Sequence, residues 1–198
     1  MATDTGVRAK EGRRAALLAA AREVLAEKGL DAAKVSDIVA RAGVAQGTFY
    51  LYFPSKFSLV IALAEDMDRR ILAATQEAVA RAQTLAEGID VGVAVAFEEM
   101  GRYRDVLGII EARIGLVELR AQCAHLYQEY YAYVAGMIEQ GQASGEVDRA
   151  VNPAIAARLI VGVLERAAEE CYVLGQHAPD EDYVTEVARF VKRGLGMR

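Results

Sequence analysis

The chain has 198 residues, of which 54% are hydrophobic and 26% charged, and its formal net charge at pH 7 is −5. A chain of this length can bury a core without a metal or a disulfide, and its three prolines leave long stretches free to be helical. Its most apolar run, residues 154–164, is interrupted by Arg158 and is too short to span a bilayer, so we expect a cytoplasmic protein that binds no membrane.

Charge is distributed unevenly along the chain. Residues 1–56 contain nine Lys and Arg against six Asp and Glu, a net charge of +3. The remaining residues contain 14 basic and 22 acidic side chains, a net charge of −8. Attraction to phosphate depends on the local field, so the basic segment is compatible with DNA binding despite the negative total.

Three helices are predicted in the N-terminal part, after eight small or polar residues that we expect to be disordered. Gly29 ends the first, Ser36 is a candidate N-cap of the second, and Gly43 suits a left-handed turn after it. Pro54 ends the third, because the residue before a proline avoids helical angles. The predicted ranges are 10–28, 35–42 and 46–52.

Six further helices are predicted after residue 54. Ser55 is a candidate cap of the first of them, and Pro153 and Pro179 lie where helix starts tolerate proline. The predicted ranges are 55–81, 85–103, 105–114, 116–142, 153–174 and 179–195. We therefore predict an all-α protein of about nine helices. Residues 1–54, the head, form a helix-turn-helix domain, and residues 55–198, the body, form a C-terminal helical domain.

The segment VSDIVARAGVAQGTFYLYFPSK, residues 35–56, has the pattern of a DNA-binding helix-turn-helix. Its second helix has small and polar residues at its N-terminal end, where base edges and phosphates are contacted. Gln46 can pair with an adenine edge, Thr48 with a phosphate or a thymine methyl, and Gly47 permits close approach. The predicted DNA contacts here are Ala45, Gln46, Gly47, Thr48, Tyr50, Tyr52 and Lys56. An ordinary helix pair inside a bundle is the alternative interpretation.

Residues 17–65, LLAAAREVLAEKGLDAAKVSDIVARAGVAQGTFYLYFPSKFSLVIALAE, resemble the N-terminal domain of TetR-type regulators. The resemblance implies that residues 46–52 are the recognition helix, that Lys56 contacts phosphate, and that Lys34 and Ser36 are flanking contacts. Two positions depart from the common pattern. Val39 stands where alanine is usual, and Ala45 stands where serine or a similar polar residue often caps the recognition helix.

The same resemblance implies a ligand-binding body that pairs into a homodimer through its last two long helices. Tyrosine and arginine in apolar helices each need a polar partner, so they are candidates for a pocket, although packing in the core is the alternative for any single residue. The predicted effector-binding residues are Phe97, Met100, Tyr103, Arg113, Val117, Tyr127 and Tyr131. Ile155, Leu159 and Leu164 begin a broad apolar face on the helix that starts at Pro153. The predicted dimer contacts are Leu164, Ala168, Tyr172, Tyr183, Val187 and Phe190.

These observations lead to a hypothesis of a ligand-responsive transcriptional regulator. We expect a repressor that binds a palindromic double-stranded operator as a dimer and is released by a small, largely apolar effector. An acyl thioester is one candidate, since Arg102, Tyr103, Arg113 and Arg120 could hold the phosphates of its carrier, although these side chains could equally make surface ion pairs. A regulator controlled by a protein partner is the alternative. The sequence has no nucleophile–base pattern, phosphate loop or metal-ligand spacing, and its two histidines are isolated, so we expect no enzyme activity, cofactor or metal.

Overall fold

The computed structural model describes the backbone of residues 2–113 and 124–197, and the side chains of residues 9–109 and 127–197. Every regular element in the described backbone is a helix, which confirms the predicted all-α class. The described backbone contains nine helices, which are α1 (Ala2–Ala32), α2 (Val35–Ala42), α3 (Gln46–Tyr52), α4 (Lys56–Val79), α5 (Leu85–Arg102), α6 (Arg104–Arg113), α7 (Ala124–Ser144), α8 (Pro153–Tyr172) and α9 (Glu181–Gly194).

The first helix is longer than predicted at both ends. It begins at Ala2, within the residues expected to be disordered, because no proline interrupts the chain there. Gly29 leaves helical geometry with φ 74° and ψ 165°, a conformation that a residue without a side chain adopts readily. One further turn then continues to Ala32. The break at Gly29 was thus predicted, whereas the short extension beyond it was not.

Local capping fixes the ends of the other helices of the head. The predicted Ser36 cap of α2 is wrong, because Lys34 is the N-cap and its N–H donates to the Asp37 carboxylate over 3.0 Å. Gly43 has the expected left-handed φ of 66°, and α3 covers the predicted residues. At the start of α4, the Ser58 N–H donates to the Ser55 hydroxyl over 3.0 Å, which confirms the predicted cap.

One continuous core connects the head with the body. Leu17 and Phe49 in the head, and Leu63, Phe97 and Ile138 in the body, are all fully or almost fully buried in it. The α4 helix packs along α5, α7 packs on α8, and α9 packs on α5. Since α4 carries buried residues along most of its length, it is the element that joins the two parts.

Side-chain caps fix the starts of the last two helices of the body. The α8 helix starts at Pro153, as predicted, and Asn152 caps it by accepting from the Ile155 N–H over 3.1 Å. The α9 helix starts at Glu181 instead of residue 179, because the Asp180 carboxylate caps the Tyr183 N–H over 2.9 Å. The predicted start of the helix over 116–142 lies outside the described residues. No helix in the described ranges is long and apolar enough to cross a membrane.

Candidate nucleic-acid interface and head–body junction

The short helix α3 presents one exposed face and buries the other. Phe49 is fully buried, whereas Gln46, Gly47, Tyr50 and Leu51 are exposed, Tyr50 by 52% and Leu51 by 81%. These four residues share a face because their four-residue spacing matches the helical repeat. A Cβ atom at Gly47 would meet nothing within 4 Å, so the face is open to an approaching surface. We call these four residues the open face of α3.

The remaining residues predicted to contact DNA differ in exposure. Ala45 is the exposed N-cap of α3 and makes no side-chain cap hydrogen bond. This agrees with its alanine side chain, which stands where the resembling family often has a serine. Thr48 and Tyr52 are half-buried, and Lys34 and Ser36 are exposed at the start of α2. Leu51 was not among the predicted contacts, but it lies four residues after Gly47 and therefore on the same exposed face.

Lys56 has a structural contact that the sequence did not suggest. Its ammonium donates to the carbonyl oxygens of Leu30 and, over 2.8 Å, Ala33, which lie at the end of α1. The charge therefore neutralises the negative end of that helix. The predicted contact of Lys56 with phosphate stays a prediction. To make it, the ammonium would have to bond a phosphate oxygen in addition to the carbonyl oxygens of Leu30 and Ala33.

Several basic side chains of the head are already paired. Arg41 bonds Glu23 over 2.7 Å and Glu27 over 2.8 Å, so α2 is held against α1 by a forked ion pair. The contacts with Glu27 and Glu23 raise the pKa of Arg41, in that order of size. Lys28 is paired with Asp37 over 3.0 Å. Among the described side chains of the head, Lys10, Arg13 and Lys34 are exposed and have no ion pair.

A cluster of polar side chains joins the head to the body. Arg22 of α1 donates from Nε and Nη2 to the Asp105 carboxylate of α6 over 2.8 and 2.7 Å. Its Nη2 also donates to the Arg102 carbonyl over 2.7 Å, and its guanidinium lies 4.2 Å from the centroid of the Tyr103 ring. The hydrogen bond to Asp105 is the main cause of the raised pKa of Arg22.

The same cluster extends to the long helix α4. The Tyr103 hydroxyl donates to Asp66 over 3.1 Å, and Asp66 also accepts from Arg70 over 3.1 Å. Burial is the largest cause of the raised pKa of Tyr103, followed by the charge of Asp66. Arg22, Asp66, Tyr103 and Asp105, which we call the head–body junction, thus connect α1, α4 and α6.

The residues predicted to bind an effector have different surroundings in the structure. Tyr103 lies in the head–body junction, while Phe97 and Met100 are buried in the core on α5. On α7, the rings of Tyr127 and Tyr131 are half-buried, with centroids 5.8 Å apart. The Arg113 side chain and Val117 lie outside the described residues.

The residues predicted to form a dimer contact also fall into two groups. Leu164 and Ala168 are buried within the chain, and the Tyr172 hydroxyl donates to the Phe97 carbonyl over 2.9 Å. Tyr183, half-buried, stacks on His177, and Val187 is also half-buried. Phe190 is 62% exposed on α9. Ile155 and Leu159 on α8 are exposed too.

A three-helix head that exposes one face of a short third helix, joined to a helical body, defines a helix-turn-helix DNA-binding regulator. The family model for bacterial regulatory proteins of the tetR family matches residues 17–63. The model for the tetracyclin repressor-like C-terminal domain matches residues 89–195. The chain therefore belongs to the TetR family of transcriptional regulators.

Two curated relatives come from Bacillus subtilis. The uncharacterized HTH-type transcriptional regulator YvdT is 34% identical over 181 residues, which are 91% of this chain and 93% of that protein. The fatty acid metabolism regulator protein is 27% identical over 151 residues, or 75% of this chain and 78% of the relative.

Solved structures have the same fold. FadR from Bacillus subtilis in complex with stearoyl-CoA is 26% identical, with a TM-score of 0.73, and the alignment covers 91% of this chain and 96% of that one. The fatty acid degradation regulator FadR from Bacillus halodurans is 24% identical, with a TM-score of 0.78 and coverage of 94% and 97%. This second likeness concerns the fold alone.

Proposed function

We propose that the protein is a ligand-responsive repressor that binds a palindromic operator as a homodimer and is released by a small, largely apolar effector. The observation that carries this proposal is the open face of α3. It combines an amide, a bare backbone position, a phenol and an apolar side chain on one exposed surface. Such a surface suits the major groove, where amides pair with adenine and apolar groups contact the thymine methyl.

Orientation on the DNA would come from contacts with phosphates. Lys10, Arg13 and Lys34, which have no ion pair among the described residues, supply charge on the head, and the Tyr50 hydroxyl can donate to a phosphate oxygen. The acidic body limits nonspecific attraction elsewhere on the molecule.

Dimerisation is supported by an exposed apolar stripe on α8 and an exposed aromatic residue on α9. Ile155 and Leu159 lie one turn apart on α8, and Phe190 is exposed on α9. Gly162 follows on α8, and a Cβ atom built there would meet nothing within 4 Å, so a second helix has room to approach. Burying such a stripe against a second copy would form a self-complementary interface with twofold symmetry.

A dimer test uses two variants that each place a charge on an exposed helical position. We expect Leu159→Glu to convert the dimer to a monomer, and Ala132→Glu, on the exposed side of α7, to leave it intact. Light scattering after size-exclusion chromatography measures the mass. A monomeric native chain, or a dimer that survives Leu159→Glu, contradicts this interface.

The class of effector is supported by a relative. The Bacillus subtilis FadR structure contains stearoyl-CoA, a long acyl thioester. A similar effector is therefore one candidate for this chain. Release would follow if the effector prefers a conformation in which the two heads are too far apart, or too close, for successive major grooves about 34–36 Å apart. The head–body junction is the contact through which such a change would reach α1.

Footprinting on the DNA that flanks the protein's own gene tests the proposal. We expect a protected palindrome with half-sites one helical turn apart, or a multiple of it, and loss of protection when an effector is added. Decanoyl-CoA and stearoyl-CoA are the first probes. Protection without twofold symmetry contradicts dimeric binding. Protection that no small molecule relieves favours control by a protein partner.

A further inference from the structure

Leu51 is the most exposed of the large hydrophobic side chains that the structure describes, at 81%. The inner face of α3 is complete without it. Phe49 is fully buried and Phe53 is 2% exposed, and the centroids of their rings lie 5.6 Å apart. Leu51 therefore contributes little to the core of the head, and a partner that covers its apolar surface gains the free energy of removing it from water.

The position of Leu51 on α3 indicates which partner covers it. The Cα–Cβ bonds of a helix tilt towards its N-terminus, so Leu51 leans towards Gly47, one turn earlier. A Cβ atom built at Gly47 would meet nothing within 4 Å, so the backbone there is bare. In a helix-turn-helix protein the second helix of the motif lies in the major groove. The open face of α3 then brings Leu51 to the edges of the base pairs.

The α3 helix carries no charged side chain, since its sequence is QGTFYLY. Arginine and lysine are the side chains that most commonly read guanine, through its O6 and N7 atoms. The cations that flank α3 in the chain are engaged elsewhere. Arg41 bonds Glu23 and Glu27 over 2.7 and 2.8 Å, and Lys56 donates to carbonyl oxygens at the end of α1. Guanine is therefore without its usual partner on this face.

Thymine is the base whose edge in the major groove matches Leu51. Guanine, cytosine and adenine present hydrogen-bonding groups there, whereas thymine adds a methyl group at C5. A leucine pairs with none of the polar groups, and covering them costs free energy, but it can cover the methyl group favourably. Gln46, on the same open face, suits adenine, the partner of thymine in a base pair. Both side chains thus favour A·T pairs.

We propose that Leu51 is a specificity-determining residue, whose side chain packs on the C5 methyl group of one thymine in each half-site of the operator. The inference rests on the proposed operator-binding repressor and names the base that its recognition helix selects. Direct readout by α3 is then confined to A·T pairs, and part of the sequence-specific affinity comes from a purely apolar contact. Contacts with phosphates add affinity without this selectivity.

Replacement of thymine by uracil tests the assignment, because it removes only the methyl group. Each thymine of the footprinted operator is replaced in turn, in both half-sites together, and binding of the full chain is measured by fluorescence anisotropy at a fixed salt concentration. We expect one position at which uracil weakens binding about tenfold, since each buried methyl group accounts for about fourfold and two are lost. Replacement of guanines by 7-deazaguanine, which lacks N7, should change the affinity by less than about twofold.

A variant of Leu51 identifies the side chain that senses the methyl group. Leu51→Ala should bind the thymine and uracil operators with affinities within about twofold of each other, because both changes remove the same contact. Leu174→Ala, which shortens another exposed leucine just beyond the end of α8, should keep the full difference of the native chain. Since Leu51 is exposed, its replacement should leave the unfolding temperature unchanged.

The proposal is overturned if no uracil changes the affinity for a palindromic operator, a result that leaves the operator-binding regulator standing. A uracil effect of equal size in Leu51→Ala and in the native chain also overturns it, because another side chain then contacts the methyl group. Weakening by 7-deazaguanine instead of uracil would show that α3 reads guanine. A chain that protects no DNA contradicts the operator-binding function, and the contact of Leu51 falls with it.

Discussion

The head–body junction gives a prediction whose size follows from its geometry. In Asp105→Asn, Arg22 loses a forked ion pair made of hydrogen bonds of 2.7 and 2.8 Å. The side chains are partly shielded, Arg22 being 30% exposed and Asp105 21%. A charge-assisted pair in such a position is worth about 1–2 kcal/mol, more than the 0–1 kcal/mol of a fully exposed pair. The remaining bond to the Arg102 carbonyl and the stacking on Tyr103 limit the loss.

A matched control comes from an ion pair between α5 and α9. Asp90 accepts from Lys192 over 2.6 and 2.8 Å, but its carboxylate is 49% exposed, so Asp90→Asn should cost about 0.5 kcal/mol or less. The assay is urea unfolding followed by circular dichroism at pH 7, with the free energy of unfolding compared between both variants and the native chain. Equal losses for the two variants, or no loss for Asp105→Asn, would refute the view that the junction holds the head against the body.

Three further predictions concern single positions. Gly43→Ala should lower the free energy of unfolding by about 1–2 kcal/mol because of its φ of 66°, whereas Gly47→Ala, which is helical and open, should lower only DNA affinity. Lys56→Met should also lower stability, by about 1–2 kcal/mol, because the carbonyls at the end of α1 lose their charged donor. Asp68→Asn should change how stability depends on pH. The folded chain keeps the Asp68 proton up to about pH 7, whereas the unfolded chain releases it near pH 4, so Asp68 lowers native stability progressively between these values and the variant lacks this fall.

Urea unfolding measures all three effects. The reasoning about Gly43 fails if both glycine variants lose equal stability. An unchanged stability of Lys56→Met, combined with weaker DNA binding, would show that the ammonium serves DNA alone. Parallel curves of stability against pH for the native chain and Asp68→Asn, between pH 4 and 8, would show that folding does not raise the pKa of Asp68. Glu165, Glu65 and Tyr130 face the same region, so the difference between the two curves isolates Asp68.

The elements that the sequence predicted well have strong local signals. The bounds of α3 follow from Gly43 on one side and Pro54 on the other, and the Ser55 cap is a local hydrogen bond. Where two local signals compete, prediction was less accurate. Ser36 has a side chain suited to an N-cap, yet α2 begins one residue earlier, with Lys34 as its N-cap and the Lys34 N–H bonded to the Asp37 carboxylate.

The long-range contacts were not predictable in the same way. Lys56 contacts carbonyls more than twenty residues earlier in the chain, and Tyr103 bonds Asp66 on another helix. Leu164 and Ala168 have the apolar character expected of an interface, yet the packing of their own chain buries them. Apolar periodicity identifies the face of a helix that is covered, but it does not identify what covers it. For this reason the positions of the effector site and of the dimer interface are proposals.

The open face of α3 is the surface proposed to read DNA. Fluorescence anisotropy on the footprinted operator, at a fixed salt concentration, compares Gln46→Ala with Gln128→Ala, which changes an exposed glutamine on α7. We expect Gln46→Ala to weaken operator binding by about tenfold, since a bidentate base contact is worth about 1–3 kcal/mol, and to leave binding to unrelated DNA unchanged. Gln128→Ala should bind like the native chain. Equal affinity of the native chain and Gln46→Ala for the operator, together with unchanged affinity of Tyr50→Ala, would contradict the account.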